Sequence, residues 1–450
     1  MKRSIVALSL SFALIAPLQL LGQGRIITFE EAVSLALRNG ITLNQERNNL
    51  DFSQMQKLSS MAALGPTLGF NARATRVNGN FFNNNTGEVV NELDRVSGSF
   101  DANITIFNGF NQMNQLRQSN SLLEAQTYNV NRNAQDIINT VSAQYLQVLL
   151  DQELLRIAEE NLEAQKQQLL QIQEMVQVGS RSPVDEYNQD SQTKGAEIQA
   201  LQAKFDLTND RALLIQSLVL DPTIDYELAK PNWDVNTISA EQYELNDLYE
   251  VSLNSRGDYI RARKLEDAAR FGVNAARGAM TPTLSAFGTI FSAYNKQEGA
   301  APFEQQIKED NLQKAFGLQF SVPIIGGQQS LQNRTNLVQQ KVAYSNAQLT
   351  RQGLEVQVKT EVLRSYRNFE LFRQGYVLTQ GRLTAAQRAF DLETERYNLG
   401  VTNLIDYTQA NRIYVQSQTD KAQAEYRLLF QKILLEYAIG TLKPEDLANN

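Results

Sequence analysis

Neither cysteine nor histidine occurs anywhere in the 450 residues. Thiol nucleophiles, disulfides, the usual zinc ligand sets and every catalytic triad built on imidazole are therefore excluded. Tryptophan occurs once and proline nine times, and a hydrophobic content of 42% accompanied by abundant Gln and Asn points to an elongated chain with a thin core. The net charge of −7 is mild, and no Lys/Arg-rich run is present to neutralise a phosphate backbone, which argues against nucleic acid as a partner. No close acid pair stands on a loop or strand end in a way that helix surface patterning fails to explain. No catalytic site, cofactor or metal is therefore expected, and the chain does not read as an enzyme.

Long hydrophobic runs are also missing, with one exception. "MKRSIVALSLSFALIAPLQLLGQG" carries Lys2 and Arg3, an apolar run from Ile5 to Ala16, and small or polar residues around Gly22 to Gly24. This is the pattern of a secretory signal over residues 1–23. Pro17 and a run short of the ~20 residues a span needs argue against a membrane-anchoring helix. No later run is long enough to cross a bilayer as a helix, so membrane contact by the mature chain has to use strands.

What is present is repetition. "VQVGSRSPVDEYNQDSQ" breaks a long helical pattern at Gly179 with Asp185 six residues on; "RYNLGVTNLIDYTQANR" does the same at Gly400 and Asp406, an offset of 221. The heptad series Val141, Val148, Leu155, Leu162, Leu169 and Val176 maps by that offset onto Val362, Phe369, Tyr376, Leu383, Phe390 and Tyr397, all apolar or aromatic. "GPTLGF" at Gly65 corresponds to "TPTLSAF" at Thr281, and "ITIFNGFNQ" to "SVPIIGGQQ", with Gly109 and Gly327 aligned at an offset of 218. Ordered landmarks with small offset changes indicate a duplicated unit. The layout expected is a first repeat over 24–220, a linker over 221–245, a second repeat over 246–440 and a tail over 441–450. Each repeat holds a β-hairpin (about 67–106 and 283–323) and a turn (near 179–183 and 400–403).

From Asn114 to Val178 no Pro or Gly interrupts 65 residues, roughly 100 Å of helix, and Ser330 to Leu399 is comparable. The heptad stripes predict side-by-side coiled-coil packing, with a stutter between Ile137 and Val141. The remaining surface is rich in Gln, Asn, Glu and Ser, which suits helices wetted on several sides. "VSGSFDANITI" is different in kind: Val96, Phe100, Ala102, Ile104 and Ile106 alternate with Ser97, Ser99, Asp101, Asn103 and Thr105. Its 11 residues are the length of a tilted membrane strand, apolar outside and polar inside. "TLGFNARATRV" and "AFGLQFSV" alternate likewise, so Leu68, Phe70, Phe100, Ile104, Phe316, Leu318 and Phe320 are expected to face lipid, against Asn71, Arg73 and Thr75 on the other side. "TLSAFGTIFSAYN" is too uniformly small and apolar to phase; the repeat alone makes it a strand. Four strands cannot close a membrane barrel, whose smallest form needs eight, so the chain has to oligomerise.

"TFEEAVSLALRNG", the two "PTL" segments opening each hairpin, "FNG" and "IGG" before the long helices, and the two Gly-to-Asp breaks together resemble the TolC-type outer-membrane efflux protein family. The resemblance spans essentially the whole mature chain. It implies a mainly helical, duplicated fold that trimerises into a 12-stranded outer-membrane β-barrel continuous with a periplasmic helical tunnel. It also implies a Gram-negative outer membrane, a periplasmic adaptor, an inner-membrane efflux or secretion pump, and a passive channel role. On this resemblance, Gly179, Ser180, Arg181, Ser182, Gly400, Val401, Thr402 and Asn403 form adaptor-facing tips, Asp406 is a candidate pore constriction, and Asp185 and Tyr397 anchor neighbouring helices. Two departures stand out: no cysteine follows the signal, so no acyl anchor is expected, and Gln409 stands where some relatives carry a second acid. A structural or adhesive trimeric coiled coil is the alternative, and the paired amphipathic strands argue against it.

Overall fold

The computed structural model describes residues 25–83, 86–323 and 328–442; the expected signal segment, the Gly327 turn and most of the tail lie outside these. The first part runs β1 (Arg25–Ile27), α1 (Phe29–Asn39), α2 (Ile41–Ala62), β2 (Thr67–Asn83), β3 (Glu88–Phe107), α3 (Asn111–Gln177) and α4 (Pro183–Leu218). After β4 (Tyr226–Leu228) and α5 (Val235–Ala240), the second part runs α6 (Leu245–Ser255), α7 (Gly257–Gly278), β5 (Thr283–Lys296), α8 (Phe303–Gln305) leading into a π-helical turn at Gln306–Asp310, β6 (Gln313–Ser321), α9 (Gln328–Asn398) and α10 (Leu404–Ile439).

The duplication shows in the lengths. α1 and α6 each have 11 residues, α2 and α7 each 22, α4 and α10 each 36. The long helices α3 and α9 have 67 and 71. Even the kinks correspond: Gly40 between α1 and α2 has φ −55° and ψ 115°, and Arg256 between α6 and α7 has φ −67° and ψ 119°.

The heptad stripes explain why such long helices hold together. α3 packs along α4, α9 along α10, and α10 crosses to α3, so the four make a continuous layer. Val141, Val148, Val362 and Phe369 are fully buried in it, while Leu155, Leu162 and Leu169 are half-buried. The core is thickest where β1 pairs in parallel with β4. There Phe29 meets the rings of Tyr145 and Trp233 edge-on, at 5.3 and 4.9 Å between centroids. The Tyr145 hydroxyl lies within hydrogen-bond reach of both Ile27 O (3.0 Å) and Ala229 O (2.6 Å), tying α3 to the small sheet.

A carboxyl group is buried in this layer against the general rule that buried charge is paired. Asp151 on α3 is 4% exposed; its Oδ1 accepts from Gln147 Nε2 at 2.9 Å and its Oδ2 has no hydrogen-bond donor among the described residues. Burial first, and then the Asp210 carboxyl group on α4, push it up to about 7. A carboxyl group raised in the folded state binds more protons there than in the unfolded chain, so stability falls as pH rises from the ordinary carboxylate range to about 7. Asp151→Asn is expected to flatten that dependence and to slow denaturant unfolding at pH 8 relative to wild type. Parallel unfolding rates of the two proteins from pH 5 to 8 would contradict it.

The other sheet has order β2-β3-β5-β6, antiparallel throughout, leaving β2 and β6 as unpaired edges. Its first two strands, of 17 and 20 residues, exceed the alternating segments because the Asn-rich stretch after Val77 pairs too, through a register shift between Asn78 and Phe81. Register also phases the uninformative strand: Phe100 faces Ile290 and Ala102 faces Gly288, so the even positions of β5 continue the apolar face. The loop before β6 is not merely a hairpin tip. Gln306 holds it to the free edge of β5, accepting from Asn295 N at 3.0 Å and donating to Ala301 O at 2.7 Å.

Candidate functional site

Both ends of the molecule present groups that local structure places with care. At one end, α3 and α9 stop in the same way. Gly179 and Gly400 have φ of +76° and +73°, in the left-handed region that suits glycine. Each stop carries the paired reverse bonds of a Schellman motif: Ser180 N to Met175 O (2.8 Å) with Gly179 N to Val176 O (3.0 Å), and Val401 N to Arg396 O (2.9 Å) with Gly400 N to Tyr397 O (3.0 Å). Ser182 Oγ then caps α4 by accepting from Val184 N, with Pro183 in the first helical position.

The second turn is capped reciprocally. Asn403 Oδ1 accepts from Asp406 N at 2.9 Å, while Asp406 Oδ2 accepts from Asn403 Nδ2 (3.0 Å) and Thr402 Oγ1 (3.2 Å). Asp406 is exposed and sits where a capping-box acid sits, so its carboxylate orders the turn as well as facing solvent.

The two turns are joined by aromatic packing. Tyr397, 4% exposed, clusters with Ile172 of α3 and Leu404 of α10. Its ring stacks on Tyr407 at 4.9 Å, and the Arg181 guanidinium lies 5.1 Å from its centroid. Gln168 Nε2 approaches its hydroxyl at 3.4 Å. Burial pushes the Tyr397 hydroxyl above its ordinary range, with Arg181 pulling the other way. Arg181 and Tyr397 thus connect the two repeats within one chain. The Asp185 carboxylate makes no hydrogen bond or ion pair among the described residues; it acts on Tyr397 only through its charge. Ser180 Oγ donates to Met175 O at 2.9 Å. Val178, Tyr187, Leu399, Val401 and Ile405 are all more than 60% exposed around the two turns. Val178, Leu399 and Val401 fall within the tip turns that the sequence marks at the two helix-breaking glycines, whereas Tyr187 and Ile405 lie in the helices that follow and carry no such signal.

At the other end, the four-stranded sheet has two chemically distinct faces. Leu68, Phe70, Phe100, Phe316, Leu318 and Phe320 project from one, and Phe316 is 90% exposed. The cross-strand pairs Phe70–Phe100, Leu284–Phe320, Ala286–Leu318 and Gly288–Phe316 make that face continuous, with Ile104 beside Ala286 half-buried in it. The opposite face is polar: Asp101 accepts from Ser99 Oγ (2.7 Å), Thr289 Oγ1 (2.9 Å) and Asn71 Nδ2 (3.2 Å). Just beyond the apolar band, Arg76 and Asp94 form a two-pronged ion pair at 2.6 and 2.8 Å. No helix among the described residues is long and apolar enough to cross a membrane.

The chain is similar to known proteins along most of its length. The family model described as "Outer membrane efflux protein" matches residues 32–218 and 248–441. Outer membrane protein TolC of Salmonella enteritidis is 23% identical over 446 residues, covering 92% of this chain and 86% of that protein. CusC, whose crystal structures concern conformational changes accompanying folding and transmembrane channel formation, superposes with a TM-score of 0.77 at 15% identity over 92% of each chain. VceC of Vibrio cholerae superposes with a TM-score of 0.76 at 15% identity, over 92% of this chain and 96% of its own.

Proposed function

Because the chain belongs to the outer membrane efflux protein family, we propose that it is the channel of a tripartite efflux or type I secretion system, a passive conduit engaged by a periplasmic adaptor and powered by an inner-membrane pump. One observation carries this reading. The sheet that bears the continuous apolar face ends in two unpaired edges, β2 and β6, and an edge in lipid has no water to satisfy it. Three copies joined edge to edge close twelve strands into a barrel, and the helices of 67 and 71 residues, each running on from a strand, continue its wall as a tube. The far tips then become the adaptor-facing surface, with Gly179 to Ser182 and Gly400 to Asn403 presenting the exposed apolar side chains around them. In this reading Asp185, near Tyr397 and with no hydrogen bond or ion pair among the described residues, anchors a neighbouring helix.

Asp406 repeats around the threefold axis near the narrow end of the tube. A carboxylate held by Asn403 and Thr402 is oriented as well as charged, and three of them favour cations and bind a multivalent one best. In planar bilayers, purified trimers are expected to conduct, to select cations and to be partly blocked by multivalent cations added on the helical side. Asp406→Asn is expected to weaken selectivity and block together while trimer yield changes little. Photo-crosslinkers at Ser180 and Val401 should trap the adaptor in cells. Trimers that conduct without any change in block in Asp406→Asn would leave Asp406 as a helix cap alone, and tips that never contact an adaptor would overturn tripartite engagement.

A further inference from the structure

The polar face of the sheet carries three charged side chains along its strands: Arg73 on β2, and Arg95 and Asp101 on β3. Their states differ. Asp101 is satisfied by three donors from Ser99, Thr289 and Asn71. Arg73 and Arg95 are exposed, and neither makes an ion pair or a side-chain hydrogen bond among the described residues. Register sets the two arginines together. Arg73 is opposite Ser97 and Arg95 is opposite Thr75, so they are diagonal neighbours on one face, about 7 Å apart at the backbone. Like charges so placed oppose one another unless an anion or water lies between them.

An aromatic ring borders the pair. Phe291 lies on the same face of β5, opposite Ser99 of β3, and is half-buried. The Arg95 guanidinium is 6.0 Å from the Phe291 ring centroid. Phe287 shares the face but stands opposite Asn103, beyond Asp101 and away from the pair. Planar cations beside an apolar ring recognise a particular chemistry: an acid group for the guanidiniums and a flat apolar body for the ring.

We infer that Arg73 and Arg95, with Phe291, form a binding surface for amphipathic organic anions on the inner wall of the outer half of the barrel. The inference rests on the barrel assembly proposed above, in which the polar face lines the lumen. Three chains then supply six guanidiniums in one belt, while Asp101 lies four residues further down β3 from Ser97, about 13 Å deeper at 3.3 to 3.4 Å per residue. An anionic cargo passing outward leaves acidic surroundings at Asp101 and meets the cationic belt last. Exposed, water-facing guanidiniums hold it loosely enough to let it go.

Purified trimers are to be titrated at low salt with pyrene-1,3,6,8-tetrasulfonate, a rigid aromatic polyanion, and binding read by its fluorescence anisotropy. The double variant Arg73→Gln/Arg95→Gln is expected to bind about tenfold more weakly or worse, since each charge-assisted contact of this type contributes on the order of that factor. The Arg73→Lys/Arg95→Lys pair keeps the charge and should recover most of the binding. Phe291→Leu should weaken the pyrene probe while leaving competition by citrate, an aliphatic polyanion, unchanged. Asp101→Asn should bind as well as wild type or better. Wild-type affinity in the Gln double variant overturns the inference, as does equal loss of pyrene and citrate binding in Phe291→Leu. Trimers that bind the probe in this pattern yet never conduct would instead overturn the conduit reading and leave the binding surface standing.

Discussion

Lysine at Phe100 or Phe320 is expected to abolish most of the assembled trimer in the outer membrane, whereas lysine at Ser99 or Ser321 leaves most of it intact. The four positions lie on two adjacent pairs of residues, so backbone propensity and distance from the strand ends are nearly matched. What differs is the face. Phe100 and Phe320 are 46% and 68% exposed in the single chain, on the apolar side. A lysine facing lipid near the bilayer midplane costs about 2 to 4 kcal/mol per chain, and assembly incurs that cost three times over. Ser99 projects to the side where Asp101 stands, its hydroxyl 2.7 Å from that carboxylate. A lysine there reaches water and an acid. The measurement is the fraction of heat-resistant or cross-linkable trimer in outer-membrane extracts, each variant compared with wild type at equal expression. Equal losses from both faces would show that the phase of the sheet is wrong, and greater losses from the serines would show that it is inverted.

That phase was legible because three of the four strands alternate cleanly, and a one-residue slip would turn every phenyl ring to the wrong side. The fourth was not legible by itself. "TLSAFGTIFSAYN" has small or apolar residues on both sides, and only pairing with β3 decides that Ile290 shares a face with Phe100. The long helices, their heptad core and the glycine stops were also readable, since each is local: a period of seven, or a left-handed residue between two helical runs. Contacts made across the duplication were not. β1 and β4 are three residues each, some two hundred residues apart, too short to give any periodic signal. The stacking of Arg181 on Tyr397, and of Tyr397 on Tyr407, depends on two turns 221 residues apart meeting in space. For Asp406 the constriction role comes from family resemblance alone; the reciprocal bonds with Asn403 show a purely local task, capping the turn, that composition cannot distinguish from it.

Arg256 is the clearest case of a residue hidden among the 42 basic side chains of the chain. It is 1% exposed and occupies the kink between α6 and α7. Its Nε and Nη2 donate to the two oxygens of Asp258 at 3.0 and 2.6 Å, and its Nη1 donates to Glu361 Oε2 on α9 at 2.7 Å and to Ala438 O on α10 at 3.2 Å. Gly440, at φ +78°, lets the end of α10 close over the same arginine: a Cβ there would sit 2.7 Å from its Cα. One side chain therefore fastens the kink to the long helix α9 and to the end of the last helix, α10. Arg256→Ala is expected to destabilise the fold by about 3 to 5 kcal/mol, because it leaves partly buried carboxylates without their counterion.

The pH dependence separates this account from simple loss of packing. Burial acts to raise the Asp258 carboxyl group, but the hydrogen bonds and charge of Arg256 outweigh it, with help from Arg132, and hold it below the ordinary carboxylate range. A group depressed in this way contributes stability above its unfolded pKa and loses that contribution as pH falls through its folded one. Without Arg256 the burial effect is less opposed and Asp258 rises, so protonation relieves the variant while it weakens the wild type. The gap in unfolding rate between wild type and Arg256→Ala, followed in guanidinium chloride, is expected to be widest at neutral pH and to narrow as pH falls into and below the ordinary carboxylate range, where the variant is relieved first and the wild type is weakened last. Arg256→Met, which fills the volume without the charge, should show the same narrowing from a similar starting point. A gap independent of pH in Arg256→Ala, with Arg256→Met near wild type throughout, would assign the residue's contribution to packing and remove the ion-pair argument.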